Sequence, residues 1–252
     1  MEATLSHYFG YDTFRPGQKE IISKILNHHN VLGVLPTGGG KSICYQVPGL
    51  MLGGTTIVIS PLISLMKDQV DQLKAMGIKA AYLNSSLNKK QQAEIENKLI
   101  TEGIQFLYVA PERFESNYFL KLLSQIDINL IAFDEAHCIS KWGHDFRPSY
   151  QSVINKVFTL PQDFTIVALT ATATAEVQQD IMEKLNIRKE DEIKTSTKRR
   201  NLIFKVNPTY QRQNFVIEYA KAHKDQAGII YCSTRKQVEE LQESLESINI
   251  AS

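Results

Sequence analysis

Short apolar runs alternate with stretches of helical spacing along most of the chain. The runs are five or six residues long and rich in Val, Ile and Leu, as is typical of buried strands; they cover 31–35, 55–60, 79–84, 106–110, 130–134 and 165–170. Helical spacing marks 19–26, 43–52, 62–76, 91–100, 119–123 and 175–185. Such alternation predicts an α/β fold, a RecA-like doubly wound and mostly parallel sheet with helices on both faces.

The pattern loosens near residue 194 and then resumes. Strands are predicted at 202–206 and 227–232, and helices at 215–220 and 238–245. We therefore predict two domains, 1–194 and 195–252, the second being the beginning of another α/β unit. Its elements are too few to close a sheet, so we expect the chain to be part of a longer protein.

Composition narrows the classes of function. A formal net charge of +1 excludes a protein that coats nucleic acid by bulk charge, but leaves room for a local basic site. The three cysteines, Cys44, Cys138 and Cys232, form no CxxC pair and indicate a reducing compartment. Neither a signal peptide nor a membrane span is predicted. We expect a cytoplasmic protein, associated with the nucleoid if bacterial, and no membrane partner.

A Gly-rich stretch follows the first predicted strand and precedes a predicted helix. Its residues are Pro36, Thr37, Gly38, Gly39, Gly40, Lys41 and Ser42. Glycines let several backbone N–H groups point at one anion, and the helix N-terminus adds positive charge. We predict a phosphate-binding loop, in which Lys41 reaches the β- and γ-phosphates and Ser42 binds Mg²⁺. Leu35 stands where the usual spacing has a further glycine, and an ordinary Gly-rich turn is the alternative.

Two acids end the strand predicted at 130–134. Asp134 is a candidate to hold Mg²⁺ through its waters, and Glu135 to orient and deprotonate the attacking water. Paired acids at such a position are more often a helix cap, but the phosphate loop upstream favours the metal site.

An aromatic, an arginine and a glutamine lie upstream of the phosphate loop. Tyr11 and Arg15 can sandwich a flat base, while the amide of Gln18 can read an adenine edge. A helical cap packed on the core explains these residue types equally well.

The segment after the acid pair lacks helical or strand periodicity and reads as a loop. It combines π-faces with positive charge in Trp142, His144, Phe146 and Arg147, a combination that suits stacking on single-stranded nucleic acid. A small satellite core is the alternative for the aromatics. Zinc at His137, Cys138 and His144 is a weaker interpretation, because no fourth ligand follows at a suitable spacing.

Two further segments have open interpretations. Thr170 ends the strand at 165–170 and Thr172 follows it. Both can bridge the nucleotide site to moving parts, or simply cap the next helix. The basic run 198–201 can contact phosphates, but is more often a solvated face.

The order of these motifs and the residues within them resemble those of the RecQ-type DNA helicases of superfamily two. The segments that carry the resemblance are 9–18, 36–42, 60–69, 110–113, Asp134-Glu135-Ala136-His137, 142–148, 169–172 and 229–233. The resemblance implies two RecA-like domains in tandem, and ATP-driven 3′→5′ translocation and strand separation in DNA repair and recombination. The implied cofactors are ATP and Mg²⁺, and the implied partner is single-stranded and partly duplex DNA.

The resemblance also assigns residues. Tyr11 and Arg15 sandwich the adenine, and Gln18 reads its edge. The aromatic-rich loop senses single-stranded DNA, and its signal passes through His137 and the stretch from Thr170 to Thr172. Ser64, Lys67 and Arg113 become residues on the DNA side.

The chain departs from the family pattern in two places. Arg199-Arg200-Asn201 stands where relatives have Arg-Pro-Asn. The chain also ends before the segments that carry the family's arginine finger, zinc-binding and winged-helix regions, so we expect it to bind ATP and DNA but to be deficient in unwinding. A nucleic-acid-binding remnant and an RNA helicase are the alternatives; GTP is disfavoured because no Asn-Lys-x-Asp motif occurs.

Overall fold

The structure is a computed structural model that describes residues 1–143, 145–196, 201–208, 210–248 and 250. It divides into two compact units, Met1–Lys198 and Arg199–Ser252, each of which is described by itself. The boundary thus falls at 198, whereas the predicted one lies at 194. Of the predicted functional positions, His144 and most of the basic run at 198–201 lie outside the described residues.

The first unit is built on one parallel sheet. Its strands are β1 (Val31–Val34), β2 (Thr55–Ile59), β3 (Ala80–Leu83), β4 (Phe106–Val109), β5 (Ile128–Phe133), β6 (Thr165–Thr170) and β7 (Glu192–Lys194). They lie in the order β3-β4-β2-β5-β6-β1-β7. The predicted α/β class and parallel sheet are confirmed.

Strand β7 was not predicted, because Glu192–Lys194 is short and carries charge at both ends. It forms by pairing with β1, where Leu32 lies opposite Glu192 and Val34 opposite Lys194. Only Ile193 is buried, so a single apolar residue gave no periodic signal.

Helices cover both faces of the sheet, as expected. They are α1 (Glu2–Phe9), α2 (Gln18–Leu26), α3 (Ile43–Leu52), α4 (Ile63–Ala75), α5 (Lys89–Thr101), α6 (Asn117–Leu123), α7 (Pro148–Val157) and α8 (Ala175–Lys184). Helices α2, α3 and α4 share one hydrophobic cluster with the sheet, and α5 to α8 share the other. Among the described residues, no helix combines the length and apolar character needed to cross a membrane.

Successive residues of the central strands point to opposite clusters. In β2, Val58 packs on the side of α2, α3 and α4, whereas Ile57 and Ile59 pack on the other side. Burial on both faces explains why these strands read as continuous apolar runs rather than as alternating ones.

The second unit contains α9 (Arg212–Ala222) and α10 (Arg235–Glu246), which confirms both helix predictions there. The strand predictions at 202–206 and 227–232 are wrong: neither segment forms a strand in the structure. A strand requires a hydrogen-bonded neighbour, and no described residue pairs with either segment. Their apolar side chains are correspondingly exposed, as shown by Phe204 at 88% and Tyr231 at 91%.

A buried acid immediately before β7 contacts the C-terminal end of α2. The Asp191 side chain is only 1% exposed and accepts hydrogen bonds from Lys24 Nζ at 2.6 Å and Arg188 Nε at 2.8 Å. Burial pushes the pKa of Asp191 upward, but the hydrogen bonds and charges of Lys24 and Arg188 outweigh it, and the net pKa is lowered.

Asp191→Ala is expected to lower the free energy of unfolding by about 2 kcal/mol at neutral pH, because two cations lose a buried partner. The lowered pKa means that the contribution of Asp191 is complete above the pKa of an unfolded aspartate, about 3.9, and is lost as the pH falls through the folded value. Urea unfolding across this range measures both effects. The neighbouring Glu190, which is exposed, provides the control Glu190→Ala, expected to change stability by less than about 0.5 kcal/mol. Equal effects of the two substitutions would contradict the assignment.

Candidate nucleotide and nucleic-acid site

Three neighbouring strands bring the predicted site residues to one edge of the sheet. β5, β6 and β1 lie side by side and run parallel, so their carboxyl ends meet. The phosphate loop follows β1, the acid pair follows β5, and Thr170 ends β6. Ligands of doubly wound sheets bind at this edge.

The glycines of the phosphate loop are required by its backbone. Gly38 and Gly40 have φ angles of 75° and 76°, in the left-handed region that favours glycine. A Cβ on Gly40 would lie 2.4 Å from Nε2 of Gln18, so a larger residue there would have to displace the Gln18 amide. Helix α3 begins at Ile43, immediately after the loop, which places its positive end at the site.

Lys41 and Glu135 form an ion pair across the site. Lys41 Nζ lies 2.8 Å from Glu135 Oε1, and both side chains are largely shielded from solvent. Hydrogen bonds from His137 and Lys41 lower the pKa of Glu135 to about 2, although burial opposes the shift. Glu135 also has left-handed backbone angles, φ 48° and ψ 49°, which are strained for a residue with a Cβ. Strain of this kind persists where the surrounding contacts fix a functional side chain.

Asp134 is the more deeply placed acid of the pair. Burial, and next the charge of Glu135, raise its pKa. Its Oδ1 accepts a hydrogen bond from the Glu135 N–H at 3.0 Å, and its backbone carbonyl accepts one from the Tyr150 hydroxyl at 2.9 Å. These hydrogen bonds orient Asp134. Its negative charge is disfavoured by burial and by Glu135, and the positive charge of Lys41 opposes this effect in part.

A chain of hydrogen bonds links the acid pair to β6. His137 Nδ1 lies 3.3 Å from Glu135 Oε2 and 3.1 Å from Thr170 Oγ1. Thr170 Oγ1 in turn donates to the Thr172 carbonyl at 3.1 Å. The structure therefore brings together His137, Thr170 and Thr172. The cap of the next helix is formed by Thr174 instead, whose hydroxyl accepts a hydrogen bond from Val177 N at the start of α8.

The three residues upstream of the loop line one cavity with it. Arg15 donates from its guanidinium to the Gly38 carbonyl, and Tyr11 is 53% exposed. The Gln18 side chain is buried: its Oε1 accepts from Arg15 N at 2.8 Å, and its Nε2 donates to the Gly40 carbonyl at 2.9 Å. Their position fits a base-binding role better than a remote helical cap, but the amide of Gln18 points at the loop backbone.

These residues line a cavity of about 230 Å³ whose far wall was not predicted. That wall is one face of α4, formed by Gln69, Gln72, Leu73 and Met76. Their spacing of three, four and seven residues is the signal of a shared helix face.

The aromatic-rich loop lies beside the acid pair in sequence and reaches toward α4. Trp142 is 68% exposed and belongs to none of the hydrophobic clusters of the described chain, which disfavours the satellite-core alternative for this residue. Phe146 is half-buried. Arg147 Nη1 donates to the Pro61 carbonyl at 3.2 Å, immediately before α4.

The remaining candidates on the predicted DNA side differ in their surroundings. Ser64 and Lys67 are exposed near the start of α4. Arg113 is instead largely committed within the protein, because its guanidinium lies 2.7 Å from Glu96 Oε1 and 5.5 Å from the Phe119 ring centroid. These contacts favour a structural role for Arg113 over the predicted DNA contact.

The zinc interpretation gains no support. His137, Cys138 and Asp145 have potential ligand atoms within 4.8 Å of one another. However, burial, followed by the charge of Asp145, raises the pKa of the Cys138 thiol to about 12. A zinc ion would have to displace that proton, and Nδ1 of His137 is already engaged with Thr170 and Glu135.

A parallel sheet, a phosphate loop after β1 and an acid pair after β5 define a P-loop nucleotide-binding protein of the RecA-like class. The chain belongs to the DEAD/DEAH box helicase family, whose model matches residues 15–181.

The resemblance to RecQ-type helicases is confirmed by curated relatives. The chain is 49% identical over 245 residues to the ATP-dependent DNA helicase RecQ of Bacillus subtilis (strain 168), covering 97% of this chain and 42% of the relative. It is 46% identical over 249 residues to the protein of that name from Haemophilus influenzae, covering 99% of this chain and 40% of the relative. The chain therefore spans about two fifths of the length of these relatives.

Solved structures show the same fold at low identity. The DUF1998 helicase MrfA matches with a TM-score of 0.69 and 19% identity, over 98% of this chain and 40% of that one. A hypothetical ATP-dependent RNA helicase from Sulfolobus tokodaii matches with a TM-score of 0.61 and 20% identity, over 97% of this chain and 72% of that one. At such identities the likeness concerns the fold alone.

Proposed function

We propose that the chain is the ATP-binding part of an ATP-dependent DNA helicase of the RecQ type. The observation that carries this proposal is the junction of the phosphate loop and the acid pair through the Lys41–Glu135 ion pair. The printed names of the relatives, ATP-dependent DNA helicase RecQ, support the choice of ATP and DNA.

The nucleotide phosphates lie against the loop and the N-terminus of α3. Gly38 and Gly40 let the loop backbone curl around an anion, and Thr37 belongs to the same loop. Lys41 then exchanges its partner, from the carboxylate of Glu135 to the β- and γ-phosphates. This exchange frees Glu135 to orient the attacking water, and it raises the pKa of Glu135 by removing a neighbouring positive charge.

The residues present fit a magnesium ion. Ser42 follows Lys41 and Asp134 precedes Glu135, so the 2.8 Å ion pair places these two neighbours on segments that face each other across the site. Two adjacent carboxylates, one with its pKa raised by burial and by the other, also favour a divalent cation. Ser42 and Asp134 would hold Mg²⁺, which supplies neutralising charge to the phosphate oxygens when bound.

Single-stranded DNA contacts the loop after the acid pair and the start of α4. Exposed Trp142 offers a stacking surface, Phe146 and Arg147 flank it, and His144 lies in the same segment. Ser64 and Lys67 offer a hydroxyl and a charge to the backbone of the strand. We propose that His137, Thr170 and Thr172, which are hydrogen-bonded to one another beside Glu135, relay contact at this loop to the carboxylate of Glu135.

The finer parts of the proposal rest on the resemblance. These are the 3′→5′ direction of translocation and a role in DNA repair and recombination. Because the chain spans about two fifths of its relatives, we further propose that these 252 residues bind ATP and DNA but unwind poorly.

The experiment that tests the helicase proposal is strand separation on duplexes with a 3′ or a 5′ single-stranded tail. A full-length protein that contains this chain is expected to separate the 3′-tailed duplex with ATP, and the 252-residue chain to separate it poorly. Separation of only the 5′-tailed duplex would contradict the direction. Efficient separation by the chain alone would contradict its proposed deficiency.

An RNA helicase is the second candidate, because one relative carries that name. The chain is 38% identical over 248 residues to a putative ATP-dependent RNA helicase, R290, of Acanthamoeba polyphaga mimivirus, covering 97% of this chain and 45% of the relative. DNA and RNA oligonucleotides of equal length, compared as stimulators of ATP hydrolysis, distinguish the candidates; stronger stimulation by RNA would favour this one.

Trp142→Ala is expected to weaken binding of single-stranded DNA by about 10-fold or more, since base stacking on an aromatic contributes on the order of 1–3 kcal/mol. ATP affinity and thermal stability are expected to stay unchanged, because the side chain is exposed and outside the core. Fluorescence anisotropy with labelled oligothymidylate measures the change. Tyr118→Ala, which removes a similarly exposed aromatic on α6, is the matched control; equal DNA affinities for the two variants would contradict the role of Trp142.

A further inference from the structure

One peptide unit joins the two acids of the site, and both of its polar groups are held by hydrogen bonds. The carbonyl of this unit belongs to Asp134 and accepts from the Tyr150 hydroxyl at 2.9 Å. The N–H of the unit belongs to Glu135 and donates to Asp134 Oδ1 at 3.0 Å. Because a peptide unit is planar, fixing its carbonyl and its N–H fixes the orientation of the plane. The two hydrogen bonds therefore set the directions in which both acidic side chains leave the backbone.

The Asp134 carbonyl takes its donor from a side chain because the sheet offers none at this point. Strands β2 and β5 are parallel, with Ile59 opposite Phe133, and the Asp134 N–H donates to the Ile59 carbonyl at 2.9 Å. In a regular parallel ladder, the next bond would run to the Asp134 carbonyl from the N–H two residues after Ile59. That residue is Pro61, which has no backbone N–H. The Tyr150 hydroxyl supplies the donor that the proline lacks.

The position and burial of Tyr150 suit this contact. Tyr150 lies in the first turn of α7, its side chain is fully buried, and its ring centroid is 6.4 Å from that of Phe133. Burial, and next the charge of Asp134, raise the pKa of Tyr150 well above its ordinary value, so the hydroxyl keeps its proton and remains a donor. The hydroxyl also lies 3.3 Å from the Ile59 carbonyl, so it bridges the ends of β2 and β5.

The backbone that follows this peptide unit is strained. Glu135 has φ 48° and ψ 49°, and a residue with a Cβ keeps such angles only where its surroundings hold it there. Without the Tyr150 hydroxyl, the buried Asp134 carbonyl would have no donor in place of the missing ladder bond, which favours rotation of the peptide unit. Rotation of this unit would turn both carboxylates away from their present directions.

Resting on the proposed magnesium site, we propose that Tyr150 is a positioning residue whose hydroxyl holds the peptide unit between Asp134 and Glu135, so that Asp134 is directed at the metal. Tyr150 acts through Asp134 and not on the nucleotide. Outer-shell partners of metal ligands typically contribute about 10- to 100-fold to metal affinity or activity. A merely structural role would lower the stability of the fold without changing how nucleotide affinity depends on Mg²⁺.

The experiment measures the affinity of the 252-residue chain for AMP-PNP, a non-hydrolysable ATP analogue, by calorimetric titration with saturating Mg²⁺ and with EDTA. The ratio of the two affinities is the magnesium gain. Tyr150→Phe removes only the hydroxyl and is expected to lower the magnesium gain by about 10-fold, the lower end of the range for an outer-shell partner. Its affinity in EDTA is expected to equal that of the parent, because the phosphate loop is untouched.

Thr55→Val is the matched control. It removes a buried hydroxyl that donates to a backbone carbonyl, that of Ile104 at 2.8 Å, at the opposite end of β2. Its magnesium gain is expected to equal that of the parent. A magnesium gain within about 2-fold of the parent in Tyr150→Phe, far below the effect of an outer-shell partner, would overturn the proposal. Equal losses in Tyr150→Phe and Thr55→Val would overturn it as well.

Two further variants test the backbone explanation and the metal site separately. Pro61→Ala restores the missing N–H, so the double variant Tyr150→Phe/Pro61→Ala is expected to recover part of the magnesium gain. A double variant no better than Tyr150→Phe would contradict the backbone explanation. Asp134→Asn is expected to lose the magnesium gain. If Asp134→Asn keeps the parent's gain, the proposed magnesium site itself fails, and the role of Tyr150 fails with it.

Discussion

Lys41→Ala is expected to weaken ATP binding by roughly 10- to 150-fold, the range for losing a hydrogen bond to a charged group. Lys41 is the only lysine or arginine among the described residues that forms an ion pair with Glu135, and the glycines around it leave no other positive side chain within the loop itself. Its removal deprives the β- and γ-phosphates of their balancing charge. Hydrolysis by a full-length protein is expected to fall below detection.

Calorimetric titration of ATP measures the binding loss. Lys121→Ala, an exposed lysine on α6 on the other side of the sheet, is the control and is expected to bind ATP like the parent. Undiminished DNA-stimulated hydrolysis in the Lys41 variant would contradict the assignment of the phosphate loop.

Glu135→Gln is expected to slow ATP hydrolysis strongly while ATP binding is retained. Removing a residue that orients and accepts a proton from the attacking water costs about 10²–10⁴-fold in turnover. ATP binding is expected to be retained or strengthened, because the carboxylate that competes with the phosphates for Lys41 at 2.8 Å is gone. The amide keeps the size of the side chain, so the fold is preserved.

Single-turnover hydrolysis and ATP titration on the same samples test the separation. Glu112→Gln, an exposed acid in the turn after β4, is the matched control and is expected to hydrolyse ATP normally. Parent-like turnover in the Glu135 variant would show that another group orients the water. Loss of ATP binding would show that Glu135 has a structural role instead.

Strands that are buried on both faces were predictable from the sequence, whereas strands that depend on a pairing partner were not. β2 and β5 are buried on both faces, and their runs of Val, Ile and Leu therefore stand out in the sequence. β7 forms only because β1 offers it a partner, a tertiary effect that no local pattern contains. The apolar segment at 202–206 shows the converse, since strand-forming residues without a partner remain unpaired.

The candidate site was predictable where one short motif carries the chemistry. Asp134 and Glu135 directly follow β5, and the phosphate loop with Lys41 follows β1, so both motifs were expected at the carboxyl edge of a parallel sheet. The contacts of Gln18 and Arg113 were not predictable, because residue type does not reveal which partner an amide or guanidinium has already bound. The wall formed by α4 was not predictable, because the sequence of that helix does not reveal which other parts of the chain it faces across the cavity.

The central claim is that single-stranded DNA at the aromatic-rich loop and ATP at the phosphate loop affect each other through one chain of contacts. DNA that orders this loop is expected to draw Glu135 toward His137 and away from Lys41, which leaves Lys41 free for the phosphates.

The most direct measurement is the affinity of the chain for ATP with and without saturating oligothymidylate. We expect DNA to tighten ATP binding by about 5-fold or more, the lower end of typical coupling between two sites, and Trp142→Ala to remove that gain. Equal ATP affinities with and without DNA would contradict the claim.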